Sequence, residues 1–163
     1  MNIVVATKEQ LVIVKNLAYK IWPNAYETIL SKAQLDYMLK MIYSIDSLEK
    51  QFDDGHIFLL IEDNQNFIGF ASYELNCNNS NKTKLQKLYV LPEIQGKGIG
   101  KQVIDYIKEK VVLSNNLALF LNVNKFNKAK DFYQKYGFKI IKEEVIDIGN
   151  NYIMDDYVME IEC

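Results

Sequence analysis

Glycine, proline, cysteine, histidine and tryptophan are all scarce in this 163-residue sequence, with seven, two, two, one and one of each. Two prolines and a thin scatter of glycine leave no flexible linker, low-complexity tract or internal repeat, so a single domain spanning 1–163 is expected. The two cysteines, Cys77 and Cys163, are too few for a disulfide framework. No apolar run approaches the ~18 residues that a membrane span requires. The start, MNIVVATKEQ, lacks the charged and then apolar segments of a secretory signal. A cytoplasmic protein with no membrane partner is the expectation. No charge of one sign dominates either. Nineteen Lys and Arg face 21 Asp and Glu, for a formal net charge of −2, which argues against broad attraction to nucleic acid.

What remains is an ordinary globular composition, 49% hydrophobic and 25% charged, in a chain long enough to bury about two-thirds of its unfolded surface. Hydrophobic periodicity sets out the elements. NIVVA (2–6) reads as a strand. Thr7 and Gln10 form a capping box for a helix over 8–22, which Pro23 is expected to stop. Ser31 caps a second helix carrying Leu35, Met38, Leu39 and Ile42 on one face. Residues 44–51 read as a short helix or loop. HIFLLIED and FIGFASYEL form a hairpin around DNQN. TKLQKLYVL (83–91) is a strand in which Leu85, Lys87, Tyr89 and Leu91 alternate with Gln86, Leu88 and Val90. A helix over 98–113 follows, then the strand LALFLNV, the helix NKAKDFYQKYGF, and a final hairpin, KIIKEEVIDIG and YIMDDYVMEIE, around GNN. Strand 83–91, helix 98–113 and strand 117–123 make a βαβ crossover, so the two strands are expected to be parallel. The fold class is α/β (α+β), with a mixed sheet of about seven strands and about four helices.

Three of the seven glycines fall within PEIQGKGIGK (92–101), between a strand and a helix. The first turn of a helix leaves its N–H groups unpaired, and their dipoles sum to a partial positive charge. Glycine allows positive φ and close approach of a ligand to the backbone. Together these make an anion site suited to phosphate or pyrophosphate, with Lys97 and Lys101 adding charge. The spacing G-x-G-x-G fits neither the P-loop nor the dinucleotide fingerprint. A plain tight turn is the remaining alternative.

LYVLPEIQGKGIGK resembles motif A, Q/R-x-x-G-x-G/A, of the GNAT superfamily of N-acetyltransferases. VNKFNKAKDFYQKYGF resembles its motif B through Val123, Asn127, Ala129, Phe132, Tyr133, Gly137 and Phe138. The element order also matches that fold. The amino-terminal part, with Trp22, Pro23 and Tyr26, looks like PaiA-type spermidine/spermine acetyltransferases. The resemblance implies acetyl-CoA as the donor and a small-molecule or protein amine as the acceptor. The alternative is a CoA-binding module without turnover. It also implies that Gln95, Gly96, Lys97, Gly98, Ile99, Gly100 and Lys101 bind the pyrophosphate, that Leu88, Tyr89 and Val90 line the pantetheine arm, and that Asn127 contacts it.

Tyr133 matches the tyrosine that protonates the leaving thiolate, and a backbone N–H such as that of Val90 is placed to stabilise the oxyanion. Where relatives carry a glutamate base, this sequence has Lys84, Gln86 and Lys87. His56, Asp155 and Asp156 are the substitutes considered, with Trp22, Tyr26, Glu27, Asp155 and Asp156 as candidate acceptor-binding residues. No metal is implied. A homodimer through the terminal strand YIMDDYVMEIEC is a further expectation.

Overall fold

A computed structural model describes residues 1–163. One seven-stranded sheet runs through the chain: β1 (Asn2–Val5), β2 (Ile57–Asp63), β3 (Asn66–Glu74), β4 (Lys82–Val90), β5 (Ala118–Asn124), β6 (Lys139–Gly149) and β7 (Tyr152–Glu162). Their spatial order is β1-β2-β3-β4-β5-β7-β6. Only β4 and β5 are parallel. Helix α4 (Ile99–Leu113) makes that crossover, as the βαβ reading requires.

Each face of the sheet carries its own apolar core. Helices α1 (Leu11–Tyr26), α2 (Lys32–Tyr43) and α3 (Ile45–Asp53) bury Leu11, Val14, Ile21, Leu39, Tyr43 and Leu48 against Phe58, Leu60 and Phe70. Helices α4 and α5 (Ala129–Tyr136) bury Val103, Ile104, Ile107 and Tyr133 against Leu59, Leu119, Leu121 and Met159 on the opposite face. No helix is long and apolar enough to cross a membrane.

Local chemistry explains most of the boundaries. The Gln10 side chain accepts from the Thr7 N–H at 2.9 Å, over a turn of 3-10 helix that precedes α1. The hydroxyls of Ser31 and Ser44 accept from Gln34 N–H and Ser47 N–H, capping α2 and α3. Asn64 and Gln65 both take positive φ, which gives the β2–β3 hairpin its tight turn.

Three features depart from the sequence reading. Pro23 does not end α1, which continues to Tyr26. Proline forfeits only its own N–H bond to the carbonyl four residues back, and the turn beyond it is held by burial of Trp22 and Tyr26, whose rings lie 4.6 Å apart. Residues 45–53 form a fifth helix, α3, fastened by fully buried Leu48. And β4 is not a uniform strand. Ser72 pairs with Lys87 but Tyr73 pairs with Leu85, so Gln86 has no partner on β3. This bulge reverses the alternation. Leu85, Leu88 and Val90 face α4, while Lys87 and Tyr89 face α1–α3.

The terminal strand β7 lies inside the sheet, flanked by β5 and β6. Both its edges are paired, so the free edge at this end of the sheet is that of β6.

Candidate active site

The parallel ladder between β4 and β5 is short. It runs from Lys82↔Ala118 to Leu85↔Leu121 and stops. Beyond that point β4 stays on β3 and β5 stays on β7, so the two central strands diverge. Along an antiparallel strand, successive residues turn their N–H and C=O groups to opposite sides. Leu91 N–H bonds the Ile68 carbonyl on β3, so Val90 and Leu88 present their backbone groups to the gap. A cavity of about 350 Å³ occupies this region, lined by residues from both sides of the gap, among them Trp22, Tyr26, Lys87, Tyr89, Tyr133 and Asp156.

The glycine loop stands at the end of β4. Gly96 and Gly98 have φ of +85° and +75°, a conformation that costs other residues about 1–2 kcal/mol. Nothing lies within 4 Å of a Cβ at either position. Gly98 is the N-cap of α4 without a side-chain cap, and the first intrahelical bond is Gln102 N–H to Gly98 C=O. The N–H groups of Ile99, Gly100 and Lys101 are therefore open, on a largely exposed turn. Gly100 is glycine for another reason. A Cβ there would meet Phe132 Cζ at 2.9 Å, so it sets the approach of α5 to α4. The Gln95 side chain donates to the Val90 carbonyl at 3.1 Å, tying the loop to the strand end. Lys97 is exposed, and Lys101 is paired with Asp105 at 2.9 Å.

Tyr133 lies on α5, between Phe132 and Phe138. Burial pushes its phenol well above the usual range, so it carries its proton at any ordinary pH. Asn127 fixes the start of the same helix, its side-chain oxygen accepting from Ala129 N–H at 2.9 Å. Across the gap, the hydroxyls of Tyr26 and Tyr89 are hydrogen-bonded at 2.9 Å, and burial raises both phenols. Trp22 packs on Tyr26 and Tyr89.

The acidic residues of β7 divide. Asp156 is 5% exposed and lines the cavity. Its Oδ2 accepts from the Asn122 side chain at 3.3 Å, while Oδ1 has no hydrogen-bond partner. Burial raises its carboxyl. Glu144, paired with it on β6, also reaches the Asn122 amide, at 3.5 Å. Asp155 points the other way and pairs with Lys125 at 3.0 Å, so the expectation that it borders the acceptor site is not met. Glu27 is exposed outside the cavity. Trp22 and Tyr26 do line it, from the last turn of α1 rather than from a joining segment.

His56 closes the far end. Its Nε2 is 3.5 Å from Glu74 Oε1 and its Nδ1 is buried without a partner. Burial and then nearby Lys87 lower its pKa, with Glu74 opposing, so it is neutral near pH 7. Lys87, which the sequence reading registered only as the lack of a glutamate, is 7% exposed and lines the cavity. The signal available was an ionic residue in an apolar, alternating strand.

Residues 27–155, more than half the chain, match the family described as Acetyltransferase (GNAT) domain. The chain belongs to the GNAT family. It is an acetyl-CoA-dependent N-acetyltransferase. Among solved structures it is similar to the PaiA N-acetyltransferase of Thermoplasma acidophilum in complex with coenzyme A. That similarity has 25% identity and a TM-score of 0.80 and covers 100% of both chains. Two further GNAT-fold likenesses are an N-acetyltransferase from Staphylococcus aureus Mu50 and the ribosomal-protein-S18-alanine N-acetyltransferase of Escherichia coli. The first has 20% identity, a TM-score of 0.71, and coverage of 99% and 97%. The second has 13% identity, a TM-score of 0.73, and coverage of 99% and 92%.

Proposed function

We propose that this acetyltransferase transfers the acetyl group of acetyl-CoA by direct attack of a primary amine, held as its ammonium by Asp156, with a polyamine-like small molecule as the favoured acceptor. The carrying observation is the continuity of the gap. The open N–H groups of α4 stand just past the end of β4, Val90 and Leu88 edge the gap, and Leu88 lines the cavity that Tyr133 and Asp156 share.

The residues fit an acyl-CoA. The N–H groups of Gly98 to Lys101 suit a pyrophosphate. The edge of Leu88, Tyr89 and Val90 offers strand-like hydrogen bonds to the amide-bearing arm, and the Asn127 side-chain nitrogen, which faces the Tyr26 hydroxyl, lies beside it. The likeness to a CoA-bound relative supports the same placement. Bound acetyl-CoA supplies the electrophilic thioester. Tyr133, kept protonated by burial, donates to the departing sulfur. The Val90 N–H stabilises the carbonyl oxygen as charge gathers there. Asp156 offers an unpaired, buried carboxylate oxygen to an ammonium, and Trp22 and Tyr26 add aromatic faces suited to a cation. Glu144 beside Asp156 strengthens the attraction.

The test is thiol release from acetyl-CoA across a panel of diamines, polyamines, amino acids and peptide amines. Acetylation of cationic small amines, lost in Tyr133→Phe, is the expected result. Saturable acetyl-CoA binding with no turnover on any amine would refute it.

A further inference from the structure

We propose that Lys87, as a neutral amine, is the proton acceptor for the attacking nitrogen. The inference rests on the acetyl-transfer reading above.

The acceptor arrives as an ammonium, which has no lone pair for attack until it loses a proton. β4 carries no carboxylate and offers Lys84, Gln86 and Lys87 instead. The bulge at Gln86 turns Lys87 to the cavity face, where it meets an unusual environment. Its Nζ stands over the rings of Tyr43 from α2 and Phe58 from β2, 5.7 and 5.5 Å from their centroids, contacts that favour the ammonium and that burial must outweigh. Its hydrogen bond goes to the neutral Gln51 Oε1 of α3 at 2.5 Å. No carboxylate lies within ion-pair distance. Glu74 on β3 is taken up by His56, Gln86 and Cys77. The other nearby basic groups are Lys84 on its own strand, which disfavours further positive charge, and His56 ahead of β2, which is neutral near pH 7.

A lysine buried without a counter-ion is a cost that an apolar side chain of the same length would avoid. Burial first, then Lys84, bring its pKa down to about 7. That is the range in which a base is both free and strong at physiological pH. Asp156 stays occupied with Asn122 and holds the ammonium. His56 Nε2 faces Glu74.

Position completes the case. Lys87 and Asp156 face the same side of the sheet, on β4 and β7, with β5 between them. β4 and β5 have parted by this level, so the two backbones stand farther apart than two strand spacings, and the gap opens between them. An amine held by Asp156 over the gap therefore has Lys87 on its other flank.

The protons balance. The nitrogen gives one proton to Lys87 Nζ as the C–N bond forms. The C–S bond breaks and the sulfur takes the Tyr133 hydroxyl proton. Tyr133 regains a proton from the same nitrogen, which ends as a singly protonated amide. Lys87 releases its proton to solvent.

The experiment uses the full chain, Lys87→Met and Lys87→Arg. Acetyl-CoA affinity is measured by calorimetry and kcat/KM from pH 5.5 to 9.5 on the best amine found. In parallel, the lysine ε-methylene NMR signal that Lys87→Met removes is titrated in the wild type. Expected are an NMR inflection near pH 7, a wild-type rate that rises through the same pH, and a loss of about 10²-fold or more in both variants with affinity for acetyl-CoA kept. In the residual Met activity that inflection is gone.

Activity within threefold of wild type in Lys87→Arg would overturn the proposal, because a fixed cation would then suffice. So would an unchanged pH profile in Lys87→Met, or an NMR inflection above pH 9, the signal being assigned from Lys87→Arg where Lys87→Met fails to fold. A wild type that binds acetyl-CoA but acetylates nothing instead defeats the acetyl-transfer reading itself.

Discussion

Lys87 has a thermodynamic signature that is independent of catalysis. Its pKa falls from 10.5 to about 7 on folding. Between those values the unfolded chain binds the proton and the folded protein does not, so stability rises with pH across the window pH 7 to 10.5. Each pKa unit is worth 1.36 kcal/mol, which makes the full span about 5 kcal/mol. Between pH 7 and pH 9, allowing for half-protonation at the lower end, the rise is about 2 kcal/mol. Lys87→Met fills similar space beside Tyr43 and Phe58 and carries no proton.

Urea unfolding of both proteins at pH 7, 8 and 9 isolates the effect. The stability difference between variant and wild type should shrink by about 2 kcal/mol over that range, or by about 1 M in relative midpoint for a typical m of 2 kcal/mol/M. The variant should be the more stable protein at pH 7. Other titrating groups are common to both and cancel, and the buried tyrosines matter only above about pH 10. A difference constant to within about 0.5 kcal/mol from pH 7 to 9 would refute the picture of an unpaired buried lysine.

The other predictions concern the gap. Tyr133→Phe should lower kcat by about 10²-fold with little change in acetyl-CoA affinity, measured by thiol release against calorimetry. Asp156→Asn should raise KM for the amine at least tenfold and leave acetyl-CoA binding intact, checked in the same two assays. Gly98→Val should weaken acetyl-CoA binding at least tenfold, because both the positive φ and the open N–H groups are compromised. Gly100→Ala should act differently. It drives a methyl group against Phe132, so it should destabilise by about 1–3 kcal/mol in a denaturant titration.

Periodicity and apolar runs exposed nearly all the elements, because the long helices bury one face, β2, β3 and β5 are buried along most of their length, and the largely exposed β6 is marked by its hairpin turn. The βαβ unit and both hairpins follow from turn residues that the chain places in positive φ. Pro23 misled because local propensity yields to tertiary burial: Trp22 and Tyr26 hold the turn that proline weakens. Residues 44–51 were ambiguous because a nine-residue helix depends on one buried leucine and its cap, more than on pattern. The phosphate cradle was legible in three glycines, though not that Gly100 serves helix packing.

The acceptor end was least legible. Asp155 and Asp156 are adjacent in sequence and only the pairing of β7 with β5 and β6 says which one faces the cavity. Lys87 was hidden for a related reason, since a bulge leaves no compositional mark.

The unpaired Gln86 is a half-period phase slip. Upstream of it, odd positions of β4 point at α4; downstream, they point at the acceptor cavity. Were Gln86 an ordinary rung of the ladder, Lys87 would follow Leu85 into the α4 core and Leu88 and Val90 would turn toward the amine. The active-site polarity of this enzyme is thus encoded in a count of residues as much as in their identities.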